Sequence, residues 1–283
     1  MKPPPFHYHD PDTVAEVCGL LARLDNAKLL AGGQSLMPML NMRFVLPDHV
    51  VDLGRVEALA GVHEETDAIV VGAMTRQRTL EFSPVVRSRL PLVVEALQFV
   101  GHRQTRNRGT LGGSLCHLDP AAELVTVAAV LDARLTVQNA AGSREILFDD
   151  FPLGFMMSAL EPDEVLTAVR FPVWPPGHRF GFAEYARRHG DYAVAAAAVL
   201  LDIDDAGIIR KAAIAIGGLA AAPIRVQQAE QALLGSTGTA EIIAHVAAAC
   251  SNLEAMGDAL VPAQYRKHIA GVMARRALQQ AFR

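Results

Sequence analysis

Cysteine is scarce in this chain. Three occur in 283 residues, Cys18, Cys116 and Cys250, odd in number and far apart. That argues against a disulfide framework and against an iron–sulfur cluster held within the chain by its own cysteines. Charge is equally unremarkable: 20% of residues are charged and the formal net charge is −4, so no general field attracts nucleic acid or an anionic membrane. Long apolar runs are missing as well. The alanine-rich stretch Ala193–Leu201 falls short of the roughly 20 residues that span a bilayer, and Asp202 and Asp204 follow at once. The N-terminus, Met-Lys-Pro-Pro-Pro-Phe-His, lacks the apolar centre of a signal peptide, and a cytoplasmic location is expected. What is present is a hydrophobic fraction of 51%, enough for a full core divided over two or three lobes.

Periodicity organises the first part as helix, strand and loop. Pro11–Leu24 carries Val14, Val17, Cys18 and Leu21 at helical spacing, Ala27–Ala31 reads as a strand, and Val50–Leu53 closes a small βαβ unit. Between them, Leu36, Met37, Met39, Leu40 and Met42 are expected to pack inward. From about residue 56 the pattern becomes α+β: a strand at Ala68–Ala73, a helix over Pro84–Val100, a basic loop over Gly101–Gly113 and a helix over Pro120–Leu131. Strands follow at Arg134–Gln138, Glu145–Leu147 and Val165–Phe171. The Pro- and Gly-rich linker Pro172–Gly177 marks a domain boundary. Beyond it, Phe182–Ala186, Val194–Ile203 and Ile208–Ile216 read as an antiparallel sheet, with Asp204–Gly207 as a hairpin turn. Pro223–Leu234, Ala240–Cys250 and Pro262–Phe282 read as covering helices.

The chemistry hint lies in two segments, Ala31-Gly32-Gly33-Gln34-Ser35 and Thr110-Leu111-Gly112-Gly113-Ser114. Paired glycines permit φ > 0 and let an anion approach main-chain N–H groups, and Ser35, Thr110 and Ser114 add hydroxyls. Two such nests would hold a pyrophosphate from both sides without lysine. Neither matches G-x-x-x-x-G-K-[ST] nor G-x-G-x-x-G, which disfavours a kinase or a dehydrogenase of the usual NAD-binding fold. On these residues alone the choice stays between a dinucleotide or anion site and a pair of ordinary turns.

The segments resemble the two flavin signatures of the medium subunits of molybdenum hydroxylases, the family of carbon monoxide dehydrogenase and xanthine dehydrogenase. Lys28–Arg43, Asn107–Glu123, Arg187–Ala198 and Pro262–Leu278 carry the likeness in order, over nearly the whole chain. Leu118 and Gln264 depart from the usual pattern at positions outside the glycine pairs. The resemblance implies an α+β chain with the FAD-binding fold of the vanillyl-alcohol oxidase type. Its two α/β subdomains would span residues 1–55 and 56–176, and a C-terminal domain, 177–283, would hold a three-stranded antiparallel sheet with helices. It also implies that Leu29, Leu30, Ala31, Gly32, Gly33, Gln34, Ser35 and Leu36, with Thr110, Leu111, Gly112, Gly113 and Ser114, line the FAD pyrophosphate and ribityl chain. Asp119 and Glu123 would accept hydrogen bonds from flavin or ribose hydroxyls, Leu160 would lie near the adenine, and Tyr192 beside the isoalloxazine. The 2Fe–2S clusters would sit on a small partner subunit and the molybdopterin-type cofactor on a large one, in a dimer of heterotrimers that feeds an external acceptor. No side chain is expected to act as acid, base or metal ligand.

Other conspicuous residues have plainer readings. His7-Tyr8-His9 lacks carboxylate partners in sequence and does not predict a metal site. The basic run His102, Arg103, Arg106, Arg108 reads as a solvated or partner-facing loop, and His117 beside Asp119 as a polar contact rather than a general-base pair. A stand-alone flavoprotein oxidase or reductase of the same fold is the main rival function. It requires an acid or nucleophile facing the flavin and a substrate lobe, and Phe182–Arg283 offers no obvious set.

Overall fold

A computed structural model describes residues 2–283. The first sheet is parallel: β1 (His7–His9), β2 (Ala27–Leu30) and β3 (His49–Asp52), in the order β1-β3-β2. Helix α1 (Val14–Leu21) starts three residues later than the periodicity suggests, because Thr13 caps it by accepting from the Glu16 N–H. It buries Val17, Cys18 and Leu21. β1 is an element the sequence reading missed; a three-residue edge strand of His-Tyr-His has no apolar alternation to reveal it. It brings His9 to within 3.0 Å of His49, ring nitrogen to ring nitrogen. Among the described residues, no three His, Cys, Asp or Glu side chains are placed to hold a metal. Between β2 and β3 lies α2 (Leu36–Asn41), where only Leu40 is fully buried and Met42 is exposed, against the expectation that all five apolar side chains turn inward.

The second sheet is antiparallel, built from β4 (Val62–Glu64), β5 (Ala68–Gly72), β6 (Arg134–Asn139), β7 (Gly142–Leu147) and β10 (Val165–Pro172), in the order β4-β5-β10-β6-β7. Helices α3 (Gln77–Phe82), α4 (Pro84–Arg89), α5 (Pro91–Leu97), α6 (Arg103–Arg108), α7 (Leu111–His117) and α8 (Glu123–Val130) fall between β5 and β6. Two expectations are corrected here. Pro91 has no N–H to give to the preceding turn, so Pro84–Val100 splits into α4 and α5. The basic stretch Gly101–Gly113 is mostly helix, not loop, and Pro120–Ala122 is a turn that leads into α8. A small hairpin, β8 (Pro152–Gly154) with β9 (Met157–Ser158), precedes β10.

The last sheet has three long antiparallel strands, β11 (Arg179–Tyr185), β12 (Ala195–Ile203) and β13 (Ile209–Gly217). A two-residue edge strand, β14 (Ile224–Arg225), extends it where a helix start was expected, because Val226 donates to Ile214 O and Arg225 bonds Glu230. Helices α9 (Gln227–Leu233), α10 (Ala240–Ser251) and α11 (Ala263–Ala281) follow. Strand alternation divides this sheet between two cores. Phe182, Ala196, Ala198 and Leu200 join the core of the second sheet, while Ala183, Ala195, Ala197 and Val199 join that of α9–α11. Covering on both faces explains why β12 is apolar at every position from Ala195 to Leu201. No helix among the described residues is long and apolar enough to cross a membrane.

The close seat of α11 on β11 depends on Gly181, where an added Cβ would lie 2.0 Å from Ala277 O. Gly181→Ala must push the helix off the sheet and should cost roughly 1–3 kcal/mol, as overpacked cores do. An unchanged chemical-denaturation midpoint in that variant would show that α11 is free to shift.

Candidate functional site

The first glycine segment is an open run of main-chain donors. β2 ends at Leu30, Gly33 takes φ +72°, and the chain then enters α2 with Met37 N–H donating to Gly33 O and Met39 N–H to Ser35 O. Gln34 folds back to donate its amide to Gly32 O at 3.1 Å. Among the described residues, no acceptor receives the N–H of Gly32, Gly33, Gln34, Ser35 or Leu36. Unpaired donors in a row make an anion-binding concavity, and no cation is needed to form it.

The second segment does a different job from the one its composition suggests. Leu111 N–H donates to Thr75 O at 3.1 Å, Gly112 N–H to Ala73 O at 2.8 Å, and Ser114 N–H to Thr110 O at 3.2 Å. Gly113 N–H donates to the Thr110 hydroxyl oxygen at 3.0 Å, which makes Thr110 the cap of α7. All four amides are thus engaged, and the expectation of a second backbone nest is corrected. Its glycines are packing devices. A Cβ on Gly112 would meet Ala73 Cβ at 2.6 Å, and one on Gly113 would meet Thr110 Oγ1 at 2.7 Å and Ala31 Cβ at 3.3 Å.

These spacings bring the two segments together. Gly32 lies against the end of α6, where an added Cβ would be 2.3 Å from Arg108 O and 2.8 Å from Gly109 Cα. A buried ion pair holds α6 in that place. Arg106 Nε donates to Glu81 Oε2 at 3.1 Å, Arg78 donates to the same oxygen at 2.9 Å, and Arg106 also reaches Val100 O at 2.9 Å. Burial alone would raise the Glu81 carboxyl, but hydrogen bonds from Arg106 and Arg78 outweigh it and keep the group below its ordinary pKa. Arg76 donates to Arg108 O, and Gln77 N–H to Gly109 O at 2.9 Å. Arg106 is therefore a structural clamp, while its neighbours Arg103 and Arg108 are exposed as expected of a solvated run.

The carboxylates and the tyrosine gather on the other side of this junction. Asp119 Oδ1 accepts from Ala121 N–H at 2.9 Å, which closes the turn into α8. Glu123, at the first position of α8, is buried, and desolvation with the nearby Asp119 charge pushes its pKa up to about 7 against its own backbone N–H and Arg106. Tyr192 is carried from the C-terminal side by the loop between β11 and β12, whose Gly190 (φ +84°) sits where an added Cβ would be 2.9 Å from the His102 ring. Tyr192 is 63% exposed and lines a cleft together with Asp119. Desolvation, with the Asp119 charge, raises its pKa. That cleft, of about 450 Å³, is lined by Asp119, Phe155, Arg187, Tyr192, Gly218 and Met256 among others. Burial lowers the pKa of His117 against the Asp119 charge. Leu160 stands apart at the turn after β9, half-buried against the second core, with β9 itself lying on α7.

Glu184 and Glu81 matter here and were not singled out from sequence, and Arg106, read there as part of a solvated or partner-facing run, is buried. Alternation along β11 puts Glu184 in phase with Phe182, so its inward position was legible; the Arg106–Glu81 pairing, between two separate helices, was not.

Residues 4–174 match the family described as the FAD binding domain in molybdopterin dehydrogenase, and residues 180–281 match the CO dehydrogenase flavoprotein C-terminal domain. The chain belongs to this family of FAD-binding medium subunits of molybdenum hydroxylases. It is 40% identical over 284 aligned residues to the 6-hydroxypseudooxynicotine dehydrogenase complex subunit alpha of Paenarthrobacter nicotinovorans, covering 100% of this chain and 96% of the relative. The carbon monoxide dehydrogenase medium chain of Hydrogenophaga pseudoflava is 36% identical, with 100% and 99% covered. A solved carbon monoxide dehydrogenase from that organism superposes with a TM-score of 0.95 at 38% identity, over 99% of this chain and 98% of that one.

Gly32→Ala should separate the two segments at their tightest point. Expected are a stability loss of roughly 1–3 kcal/mol and a clear fall in the flavin-to-protein absorbance ratio of the purified chain. Full flavin content with unchanged stability would mean that this approach is not needed. Arg106→Met leaves the buried Glu81 with Arg78 as its one remaining cation and should cost roughly 1–3 kcal/mol, measured by the denaturation midpoint.

Proposed function

We propose that this chain is the FAD-carrying subunit of a heterotrimeric molybdenum hydroxylase. In this reading it takes electrons from 2Fe–2S clusters on a small partner subunit and delivers them from the flavin to an external acceptor. A large subunit holds the molybdopterin-type cofactor, the organic substrate is oxidised there, and two heterotrimers pair. The observation that carries the reading is the row of unpaired N–H groups from Gly32 to Leu36, with Tyr192 and Asp119 lining one cleft. Three unpaired cysteines suit a reducing, cytoplasmic setting. We divide the chain into an FAD-binding pair of subdomains, 1–55 and 56–176, and a C-terminal domain, 177–283.

When bound, FAD supplies the electron-carrying chemistry, and the protein contributes binding, orientation and electrostatics. The amides of residues 32–36 receive the diphosphate, with Leu29, Leu30 and Ala31 as the floor behind them. Thr110, Leu111, Gly112, Gly113 and Ser114 form the wall that α7 presents, since the glycines bring that helix against Ala31. Asp119 and Glu123 accept from polyol hydroxyls, Leu160 covers the adenine end, and Tyr192 shields the ring from the C-terminal side. Burial favours the protonated form of Glu123, which lessens the negative charge that the site presents to a diphosphate.

Tyr192→Ala should leave FAD bound, alter its absorption spectrum and change its reoxidation rate. A loss of thermal stability with an unaltered spectrum would instead assign Tyr192 to packing. The isolated, flavin-loaded chain should accept electrons from dithionite but not from an organic substrate. Rapid substrate oxidation by this polypeptide alone would favour a stand-alone flavoenzyme.

A further inference from the structure

Glu184 is a half-buried acid, with Oε2 fully buried, for which the cofactor reading has so far assigned no task. It lies on β11 in phase with Phe180 and Phe182, on the face that turns away from α11 and toward the second core. Phe182 marks that face by packing its ring 5.3 Å from Phe99. Across the sheet, Glu184 pairs with Ala196, and Ala196 pairs with Gly217. This row is made of small residues beyond Glu184, and α8 sits directly on it: a Cβ on Gly217 would lie 2.1 Å from Thr126 Oγ1. Glu123 is three residues before Thr126 and so shares its side of the helix. The row and the helix thereby bring the Glu184 side chain toward Glu123, and the Glu123 charge raises the cost of ionising Glu184.

The surrounding groups do not neutralise them. Glu184 Oε2 is buried and receives no hydrogen bond among the described residues. Arg106, the cation that acts on Glu123, is already bonded to Glu81 and to Val100 O. Arg266, on α11 behind the sheet, gives its terminal nitrogens to Val194 O, Gly218 O and Asp258, and its buried Nε has no partner among the described residues. Asp119, before α8, adds a further negative charge, and burial keeps Tyr192 in its neutral form. Two carboxyls that meet without a free cation cannot both ionise cheaply.

We propose that Glu184 is a positioning residue of the cofactor site, which together with Glu123 holds one proton between the C-terminal sheet and α8 and thereby makes FAD uptake proton-linked. The proposal rests on the FAD reading above. While the pair keeps its proton, the site presents one negative charge to the FAD diphosphate; loss of that proton puts a second charge beside it and opposes binding. Burial and the Glu123 charge push the Glu184 pKa up to about 8, and Glu123 up to about 7, so the transition falls just above neutrality as a property of the pair. In the unfolded chain both groups ionise near the ordinary glutamate value, about 4.3. The folded chain therefore holds protons that the unfolded chain has released, and stability falls as pH rises from about 5 through 8.

The test uses the full-length chain freed of flavin, as wild type and as Glu184→Gln, with Glu123→Gln as a second variant. FAD binding is followed by flavin fluorescence from pH 6 to 9, and proton uptake by calorimetry in two buffers of different ionisation enthalpy. Wild-type affinity should fall by up to about tenfold per pH unit above the transition, with uptake of about one proton. Glu184→Gln should flatten both. The thermal midpoint of the flavin-free chain should fall between pH 5 and 8 in wild type and much less in Glu184→Gln. FAD binding with the same pH profile in wild type and Glu184→Gln would overturn the proposal and leave the FAD reading intact. Absence of FAD binding at every pH would overturn the FAD reading and its proton linkage together, and the thermal profile would still show whether the pair holds its proton.

Discussion

The structure depends on one close approach: the backbone at Gly32 against the carbonyl of Arg108. No side chain larger than hydrogen fits between them. The parallel sheet, which supplies residues 31–36, meets there the helical layer of the second sheet, which supplies residues 108–114. Everything that fixes the second partner serves this contact. Arg106 and Glu81 bury a charge pair to lock α6 onto α3, Arg76 and Gln77 bond the carbonyls of Arg108 and Gly109, and Gly112 lets α7 lie on Ala73. A buried pair of this kind is weak evidence for net stability, since desolvation offsets much of the attraction. Its value here is register: it sets where the end of α6 stands.

The two glycine pairs illustrate how one composition serves two physical purposes. At Gly32-Gly33 the backbone is left with unpaired donors and a left-handed turn, which fits an anion. At Gly112-Gly113 every amide is already bonded and the missing side chains serve helix-to-strand contact. The C-terminal sheet adds a third function. Because it is covered on both faces, its inward row can carry an acid to α8, and its outward loop can carry Tyr192 to the cleft beside Asp119. The candidate site thus draws on all three sheets.

Much of this was legible in the sequence. Hydrophobic alternation located β5, β10, β12 and β13, and the Asp204–Gly207 turn joined the last two as a hairpin. The first glycine segment was legible as a candidate anion site, but residue type alone did not separate it from an ordinary turn. What was not legible depended on distant partners. His-Arg-Gln-Thr-Arg-Asn-Arg has no apolar period, and it is helical where Arg106 finds Glu81. The second glycine pair could not be told from a nest without knowing that Ala73 and Thr75 supply its acceptors. Glu184 sits in a strand whose alternation points it inward, and a lone acid in such a place acquires meaning only once Glu123 is seen opposite. Pro91, by contrast, was visible, and its missing N–H was reason enough to divide the helix there.

The central claim, that FAD is held by the open amides of the first segment and only walled by the second, is tested most directly by amide hydrogen exchange with and without FAD. The N–H groups of Gly32 through Leu36 should exchange rapidly in the flavin-free chain and slow markedly when FAD binds. Those of Leu111 through Ser114 should be slow in both states, because their acceptors are internal. Binding of FAD with unchanged exchange at residues 32–36 would contradict the account.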